Sequence, residues 1–507
     1  MTHIRGFSLN EELSHSVICQ ISLAYLLQFN TSEPLDTNVE VSSPLADYAT
    51  KHWISHALSS RKDGSRSSVV FLLMMKLLTD KNAAFFNWVR LGDMDAHSHY
   101  SRKLGRNRDQ IAKPLYYASL AGLTEITHKL LEMGADVGAQ GGNHGNALQA
   151  AVYAGHEAIA KLLIEKGADV NAWGESHRNA LHVASMQGHE AIAKLLIEKG
   201  ADINAQRGDY RNALYVASDR GHEAIAKLLI EKGADVNAQG GEYGSALYVA
   251  SQRGHEATAK LLIEKGADVN AQGGRHGNAL VAASDRGREA IAKLLIEKGA
   301  DVNAQGGDYG NALYVASQRG REAIAKLLID KGADVNSQGA YYVNALVATS
   351  DKGHVTIARL LIEKGADLTA QGGYYGNALY IASLRGRKAM AKLLIENGAD
   401  VNAQGGHYGN ALVAASNGGH EAIAELLIEK GADLNAQGGY YGNALHIASL
   451  RGHKAMATLL IENGADVNAQ GGHYGNALVA ASNGGHEAIA ELLIEKGADV
   501  TAQGGYL

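Results

Sequence analysis

The chain has very little cysteine, and that absence excludes much. Cys19 stands alone in 507 residues. No disulfide framework and no cysteine-rich zinc or iron–sulfur module can be built. Three prolines exclude collagen-like and proline-rich disordered chains. Neither sign of charge dominates: 47 basic residues face 53 acidic ones, a net −6. That balance gives no general pull toward nucleic acid or an anionic membrane. The longest apolar run, Val69 to Met75, is far short of the roughly 20 residues a membrane span needs. The first thirty residues show no basic start, apolar core and cleavage site, so secretion is not expected and a cytoplasmic location is. No Gly-x-x-x-x-Gly-Lys-Ser/Thr occurs, which leaves no phosphate cradle and predicts no hydrolysis of ATP or GTP. What is abundant is glycine, with 60 residues, beside 46% hydrophobic residues, enough to fold.

The glycines recur in register. Asn-Ala-Leu begins at Asn146, Asn179, Asn212, Asn278, Asn311, Asn344, Asn377, Asn410, Asn443 and Asn476, and Ser245 fills the one gap. Gly-Ala-Asp keeps the same 33-residue step twelve times, from Gly134 to Gly497. Stepping back from Asn146 reaches Lys113-Pro114-Leu115, a divergent first unit. Twelve units therefore fill 113–507. In the unit at Asn311, the asparagine is an N-cap for a helix over 312–318. Leu313, Ala316 and Ser317 share one face of it. Gly320 permits a turn. A second helix over 321–331 carries Ile324, Leu327 and Leu328 as its apolar stripe. Glu157, Lys161 and Glu165 exemplify the solvated charges on its outer side. Gly332 suits a left-handed cap, and an extended finger follows. One such unit cannot bury its own apolar face, whereas a stack can.

The segment Gly-Asn-Ala-Leu-Tyr-Val-Ala-Ser-Gln-Arg-Gly-Arg-Glu-Ala-Ile-Ala-Lys-Leu-Leu-Ile-Asp-Lys-Gly-Ala-Asp-Val-Asn, at 310–336, resembles an ankyrin repeat. The period, the Gly188-His189 turn, the Leu-Leu pair and Gly-Ala-Asp-Val-Asn all agree with that family. Asn-Ala-Leu stands where the family usually has Thr-Pro-Leu-His, and the finger reads Gly-Gly-x-Tyr-Gly. This dialect is similar to ankyrin arrays of filamentous fungi. The resemblance implies an all-α ankyrin-repeat solenoid of twelve helix-turn-helix units with finger loops, binding a protein partner along its concave surface. Residues 1–91 do not repeat and are expected to form a small helical domain, with helices over 13–29, after Ser43-Pro44, and once or twice within 69–91. Residues 92–112 read as a polar linker. The phrases at 16–27 and 44–57 resemble the helical segment that follows the NACHT domain in fungal NLR-like proteins. That implies a second possibility, the ligand-sensing ankyrin part of such a signalling protein without its nucleotide-binding domain.

No catalytic, cofactor or metal site is expected. His-Glu-Ala-Ile-Ala, as at His156, His189, His222, His420 and His486, lacks the second histidine of the zinc motif. Its histidine is expected to cap or pack the turn between helices. Gln371 stands where a dinucleotide fingerprint needs glycine. Two stripes remain as candidate partner-binding residues. The aromatic one is Tyr210, Tyr243, Tyr309, Tyr342, Tyr375, Tyr408, Tyr441 and Tyr474, with His144, His177 and His276 in the same register. The basic one is Arg220, Arg253, Arg286, Arg319, Lys352, Arg385 and Arg451. Tyrosine and arginine dominate interface hot spots, which suits a groove for an extended protein segment bearing acidic groups. The alternative has the tyrosines packing finger on finger, which their regularity favours. For the arginines, pairing with Asp219, Asp285 and Asp351 stands equally open. Neither nucleic acid nor membrane is an expected partner.

Residues 371–436 and 437–502 differ at five of 66 positions, so a two-unit block has been copied. The residue after Asn-Ala-Leu alternates through Tyr248, Val281, Tyr314, Val347, Tyr380, Val413, His446 and Val479. Duplication alone explains this; a surface tuned in two-unit steps is the functional option. The twelfth unit repeats the tenth without polar re-facing of Ala480, Ile489, Leu492 or Leu493. Solenoids usually finish with an atypical cap. The last unit is therefore expected to fray or to associate with another copy of the chain.

Overall fold

The computed structural model describes residues 11–31, 45–60, 69–79, 83–92, 94–95, 108–174, 178–206, 212–240, 243–339 and 344–501. Among them the regular structure is entirely helical, with only isolated bridges such as Gln140 to Asn146. Two compact units divide the chain, Met1–Val236 and Asn237–Leu507.

The first unit opens with α1 (Glu11–Leu26), α2 (Ala46–Ser59), α3 (Val69–Leu77) and α4 (Ala83–Leu91). α1 ends earlier than expected, and a short 3-10 turn, Leu27–Phe29, completes the stretch. The Ser43-Pro44 cap lies outside the described residues. Every residue of α4 is buried. Its Trp88 meets Trp53 edge-on at 5.4 Å between ring centres and Tyr117 at 5.7 Å. Phe85 meets Tyr117 at 5.8 Å. Tyr117 belongs to α5 (Pro114–Leu120), the first helix of the first 33-residue unit. The N-terminal helices therefore share a core with the first repeat and cover the side that no earlier repeat covers.

Each of the twelve units places two helices where the repeat predicts them; α5 is followed by α6 (Thr124–Glu132). The helix Ala312–Gln318 starts on Asn311, whose Oδ1 accepts the Tyr314 amide at 2.8 Å. Such caps stabilise a helix by about 1 kcal/mol. Gly320 adopts φ +69° in the turn. The second helix runs Glu322–Asp330, one residue shorter at each end than expected. Ile324, Ala325, Leu328 and Ile329 are buried, while Leu327 is half-buried, so Ala325 and Ile329 displace Leu327 from the expected stripe. Small residues such as Ala316 and Ala325 let helices approach closely. Gly332 is left-handed at φ +87°, and the Ala333 amide reaches back to the Leu328 carbonyl, the closing bond of a glycine C-cap.

Successive units are bonded in two places. At the start of the fingers, Asn303 Nδ2 donates to the Gly332 carbonyl at 3.3 Å and Asn303 Oδ1 accepts the Asp334 amide at 2.8 Å. Asn171, Asn204, Asn270 and Asn468 repeat the pattern. Asn303→Ala removes both bonds and is expected to lower the stability of Asn237–Leu507 by about 1–2 kcal/mol, read as a shift in the urea midpoint without a change in slope. An unchanged midpoint would show that water replaces the bridge fully. At the turns, the histidine of Gly-His reaches the preceding unit. His156 Nε2 lies 3.2 Å from the Leu120 carbonyl, and His420 Nε2 lies 3.2 Å from that of Leu384. A Cβ on Gly122 would come within 2.6 Å of the His156 ring, so the turn glycine leaves room for the neighbour's imidazole. The expected role at the turn is thus an inter-unit one: the imidazole bonds the last carbonyl of the preceding unit's first helix and makes no side-chain bond at the start of its own. Where arginine replaces histidine, Arg387 Nε donates to the Asp351 carbonyl at 3.3 Å. Both helices of the twelfth unit, Ala477–Asn483 and Glu487–Glu495, are present. Ile494 and Val500 are 50% and 66% exposed on it.

Candidate partner-binding surface

The finger of each unit is shaped by its own residues. Asn402 donates its amide to Asp400 Oδ1 at 2.9 Å, which turns the chain outward. The Gly405 amide then meets the Gly409 carbonyl at 2.6 Å and closes the loop. His407 and Tyr408 are left at the tip. A Cβ on Gly409 would collide with the Gly438 backbone, so glycine there is what lets neighbouring fingers lie side by side.

Four consecutive fingers, at 371–376, 404–409, 437–442 and 470–475, bring their rings together. Tyr374 faces His407 at 4.8 Å, and Tyr440 stacks on His473 at 4.8 Å with planes 15° apart. The same pairs are tied through the backbone: the His407 amide donates to the Tyr374 carbonyl and the His473 amide to the Tyr440 carbonyl, at 3.1 and 2.8 Å. Tyr408 and Tyr441, 5.0 Å apart, join one pair to the next. Tyr375 and Tyr474 stand edge-on to Tyr374 and His473 at 5.4 and 5.1 Å. Tyr309 stacks separately on the buried His276 at 4.4 Å. Tyr243 is exposed on its own finger. Tyr210, Tyr342 and His177 lie outside the described residues. The most exposed rings of the run, Tyr374 at 60% and Tyr440 at 58%, sit one position before the tyrosine column that the sequence singled out. The signal for them is the 66-residue copy, not the 33-residue period.

The alternating residue after Asn-Ala-Leu is not a surface feature. Tyr248, Val281, Tyr314, Val347, Tyr380 and Val413 are all buried. The tyrosines act from beneath. Tyr380 Oη accepts the Tyr408 amide at 2.9 Å, and burial pushes its phenol up to about 12. His446 takes the tyrosine's place. Its Nδ1 accepts the Asn443 amide at 2.9 Å and its Nε2 donates to the Ala469 carbonyl at 3.0 Å, while burial lowers its pKa.

The basic stripe is half in solvent, and five of its seven side chains lie against carboxylates. Arg319 Nε bonds Asp285 Oδ1 at 2.7 Å, across 34 residues, and Arg286 Nε approaches Asp285 Oδ2 at 3.3 Å. His276 Nε2 lies 3.4 Å from the same carboxylate. Burial pushes the Asp285 carboxyl up, yet the hydrogen bonds from His276 and Arg319 outweigh it and hold the group at about 2. Asp351 repeats the arrangement with Lys352 at 2.6 Å and Arg385 at 2.7 Å. Arg220 lies 3.7 Å from Asp219, and Arg451 Nε donates to Asn417 Oδ1 at 3.0 Å. Arg253 ends the helix Ala246–Arg253. Asp95, within the segment read as a linker, is buried; its carboxylate accepts the Asn143 amide at 2.5 Å and lies 3.3 Å from His144 Nε2. No sequence pattern marks that contact.

The family model described as ankyrin repeats (three copies) matches residues 115–207, 205–273, 271–339, 313–405 and 411–504. The chain belongs to the ankyrin-repeat family. The chain is similar to the azaphilone pigments biosynthesis cluster protein L of Monascus ruber, 36% identical over 159 residues, which cover 29% of this chain and 32% of that protein. The chain thus spans about a third of the length of this curated relative. Among solved structures, the crystal structure of the human ASB11 ankyrin repeat domain is 26% identical, with a TM-score of 0.41 over 44% of this chain and 99% of that one. The ankyrin fold supports protein interaction in general. Among the described residues no helix is long and apolar enough to cross a membrane.

Proposed function

We propose that this ankyrin array is a non-catalytic, cytoplasmic scaffold that binds a partner protein along the edge made by its finger tips and inner-helix ends. The observation that carries the reading is the run of exposed, mutually stacked rings on four fingers whose backbones are bonded in pairs. A surface ordered before contact loses little entropy on binding, and tyrosine supplies large area with few rotatable bonds. The half-exposed arginines, fixed on Asp285 and Asp351, would line the rim beside it. In affinity capture from native lysate on the full chain, the joint change Tyr374→Ser and Tyr440→Ser is expected to remove the specifically bound partner and leave the thermal melt within a degree or so, because both rings are exposed. Undiminished capture by this variant would discard the finger edge. Self-association, if it contributes, would use the exposed Ile494 and Val500.

A second reading is supported by the N-terminal helices. Their likeness to the NACHT-associated segment, and their shared core with the first repeat through Trp88 and Tyr117, suit an array that passes a ligand signal to a nucleotide-binding partner domain.

A further inference from the structure

Within the array, a carboxamide at the start of a finger fastens one unit to the next. Asn171 Nδ2 donates to the Gly200 carbonyl at 3.0 Å, and its Oδ1 accepts the Asp202 amide at 2.8 Å. Eight asparagines make this two-point bond among the described residues. A primary amide suits the socket because one planar end both donates and accepts. The first repeat carries the same socket at Gly134 and Asp136. Gly134 has φ +85° against +87° at Gly200. The Ala135 amide bonds the Leu130 carbonyl at 3.0 Å, as the Ala201 amide bonds that of Leu196 at 2.9 Å. The N-terminal helices cover this repeat but bring no carboxamide to its socket. Among the described residues the Gly134 carbonyl and the Asp136 amide have no bond.

This socket lines a cavity of about 540 Å³, with Pro114, Leu115, Leu130 and Met133 as the apolar wall. That volume lies in the range of ligand pockets. Lys113 stands at the rim. It holds the place that a capping asparagine fills in later units, makes no side-chain cap bond, and is exposed without a partner for its ammonium among the described residues. The array shows what such a socket takes. Its asparagine arrives in Asp-x-Asn, with an apolar middle residue that is buried at Val170 and Val335. Those three residues supply a carboxamide for the socket, an apolar side chain for the wall and a carboxylate for Lys113. A second copy of the chain is poorly supplied for the role. Its finger asparagines are engaged within its own array, and Thr369 and Thr501 turn their hydroxyls back to Asp367 and Asp499 at 2.7 Å.

We propose that the Gly134–Asp136 socket and its cavity dock a segment of a partner protein that presents Asp-x-Asn with an apolar middle residue. The socket is formed before contact, which limits the entropy lost on binding. None of its residues belongs to the ring-bearing fingers, so it is a second interaction surface. The test is carbon-13 methyl NMR of the full chain labelled at its eight methionines. The Met133 resonance, assigned with Met133→Leu, reports the cavity. Acetyl-Gly-Ala-Asp-Val-Asn-Ala N-methylamide is expected to shift it saturably, with a Kd of about 1 mM. The same peptide with aspartate or alanine in place of asparagine should bind about tenfold more weakly, because either leaves the Gly134 carbonyl unbonded. Lys113→Glu should weaken the asparagine peptide about threefold. Tyr374→Ser with Tyr440→Ser should not change it, so failure of this socket and failure of the finger edge are separate results. A Met133 signal unmoved by the asparagine peptide overturns the proposal, as do equal affinities for the three peptides. A shift that follows protein concentration without peptide gives the cavity to a second copy and overturns it too. The premise has its own check. Gly138 stands where the bridging asparagine for the second repeat would be, and a Cβ there meets only Asp136 Oδ1, at an ordinary 3.5 Å. Gly138→Asn is expected to bond Gly167 and Asp169 and to raise the urea midpoint of the Met1–Val236 unit. An unchanged midpoint would mean that water serves these sockets as well as a carboxamide does, and the proposal falls with it.

Discussion

Trp88→Ala is expected to cost about 3–5 kcal/mol in the Met1–Val236 unit, the largest effect of any single change considered. Trp88 is 1% exposed and lies among Trp53, Phe85 and Tyr117. Truncation leaves a cavity lined by three rings, and the Thr50 carbonyl loses its bond from the indole Nε1, 3.3 Å away. Because Tyr117 belongs to the first repeat, the damage should cross from the N-terminal helices into α5 and α6. Hydrogen exchange is the measurement, since arrays of repeats open locally and one midpoint can hide it. Protection should fall both in 83–91 and in 114–132. Loss confined to 83–91 would mean that the first repeat stands without its helical cover.

Asp285→Ala ranks second, at about 2–4 kcal/mol in Asn237–Leu507. The change leaves Arg319 without its carboxylate and His276 buried against the vacancy. Asn417 occupies the corresponding place two blocks on and already accepts from Arg451 at 3.0 Å. Asp285→Asn should therefore recover about half the loss, because it keeps an acceptor and forfeits the charge. The pH dependence has a definite sign. The carboxyl is held at about 2 in the folded chain against an ordinary 3.8. Its contribution is complete above pH 4 or so and is lost as pH falls through about 2, since the unfolded chain takes up the proton first. Acid titration of the parent should show that loss, and Asp285→Asn should abolish it. Identical acid profiles for the two would remove Asp285 from the account.

Much of the fold is legible in one 33-residue stretch, for physical reasons. Asn311 as cap, Gly320 as turn and Gly332 as left-handed terminator each act within a few residues, so spacing alone reveals them. The bonds between units are harder to see. Arg319 to Asp285 spans 34 residues and His156 to Leu120 spans 36, so in a periodic sequence each looks like a local neighbour of its own unit. The arginine stripe was visible, but its partner could equally have been solvent. Tyr380 reads as one step of a copied two-unit alternation and proves to be a buried prop for the next finger. Asp95 carries no pattern; its role exists only because the chain brings it back to Asn143 and His144.

The turn histidines carry a consequence for how such a chain can change its length. His156, His189, His222, His420, His453 and His486 fasten to the main-chain oxygens of Leu120, Tyr153, Met186, Leu384, Asn417 and Leu450. Leucine, tyrosine, methionine and asparagine all serve at those six sockets, and the oxygen does not change. A module spliced in anywhere finds a ready fastening on whatever precedes it. Gene segments encoding whole modules can then be inserted or deleted without matched changes in the flanking ones, as the near-identity of 371–436 and 437–502 records.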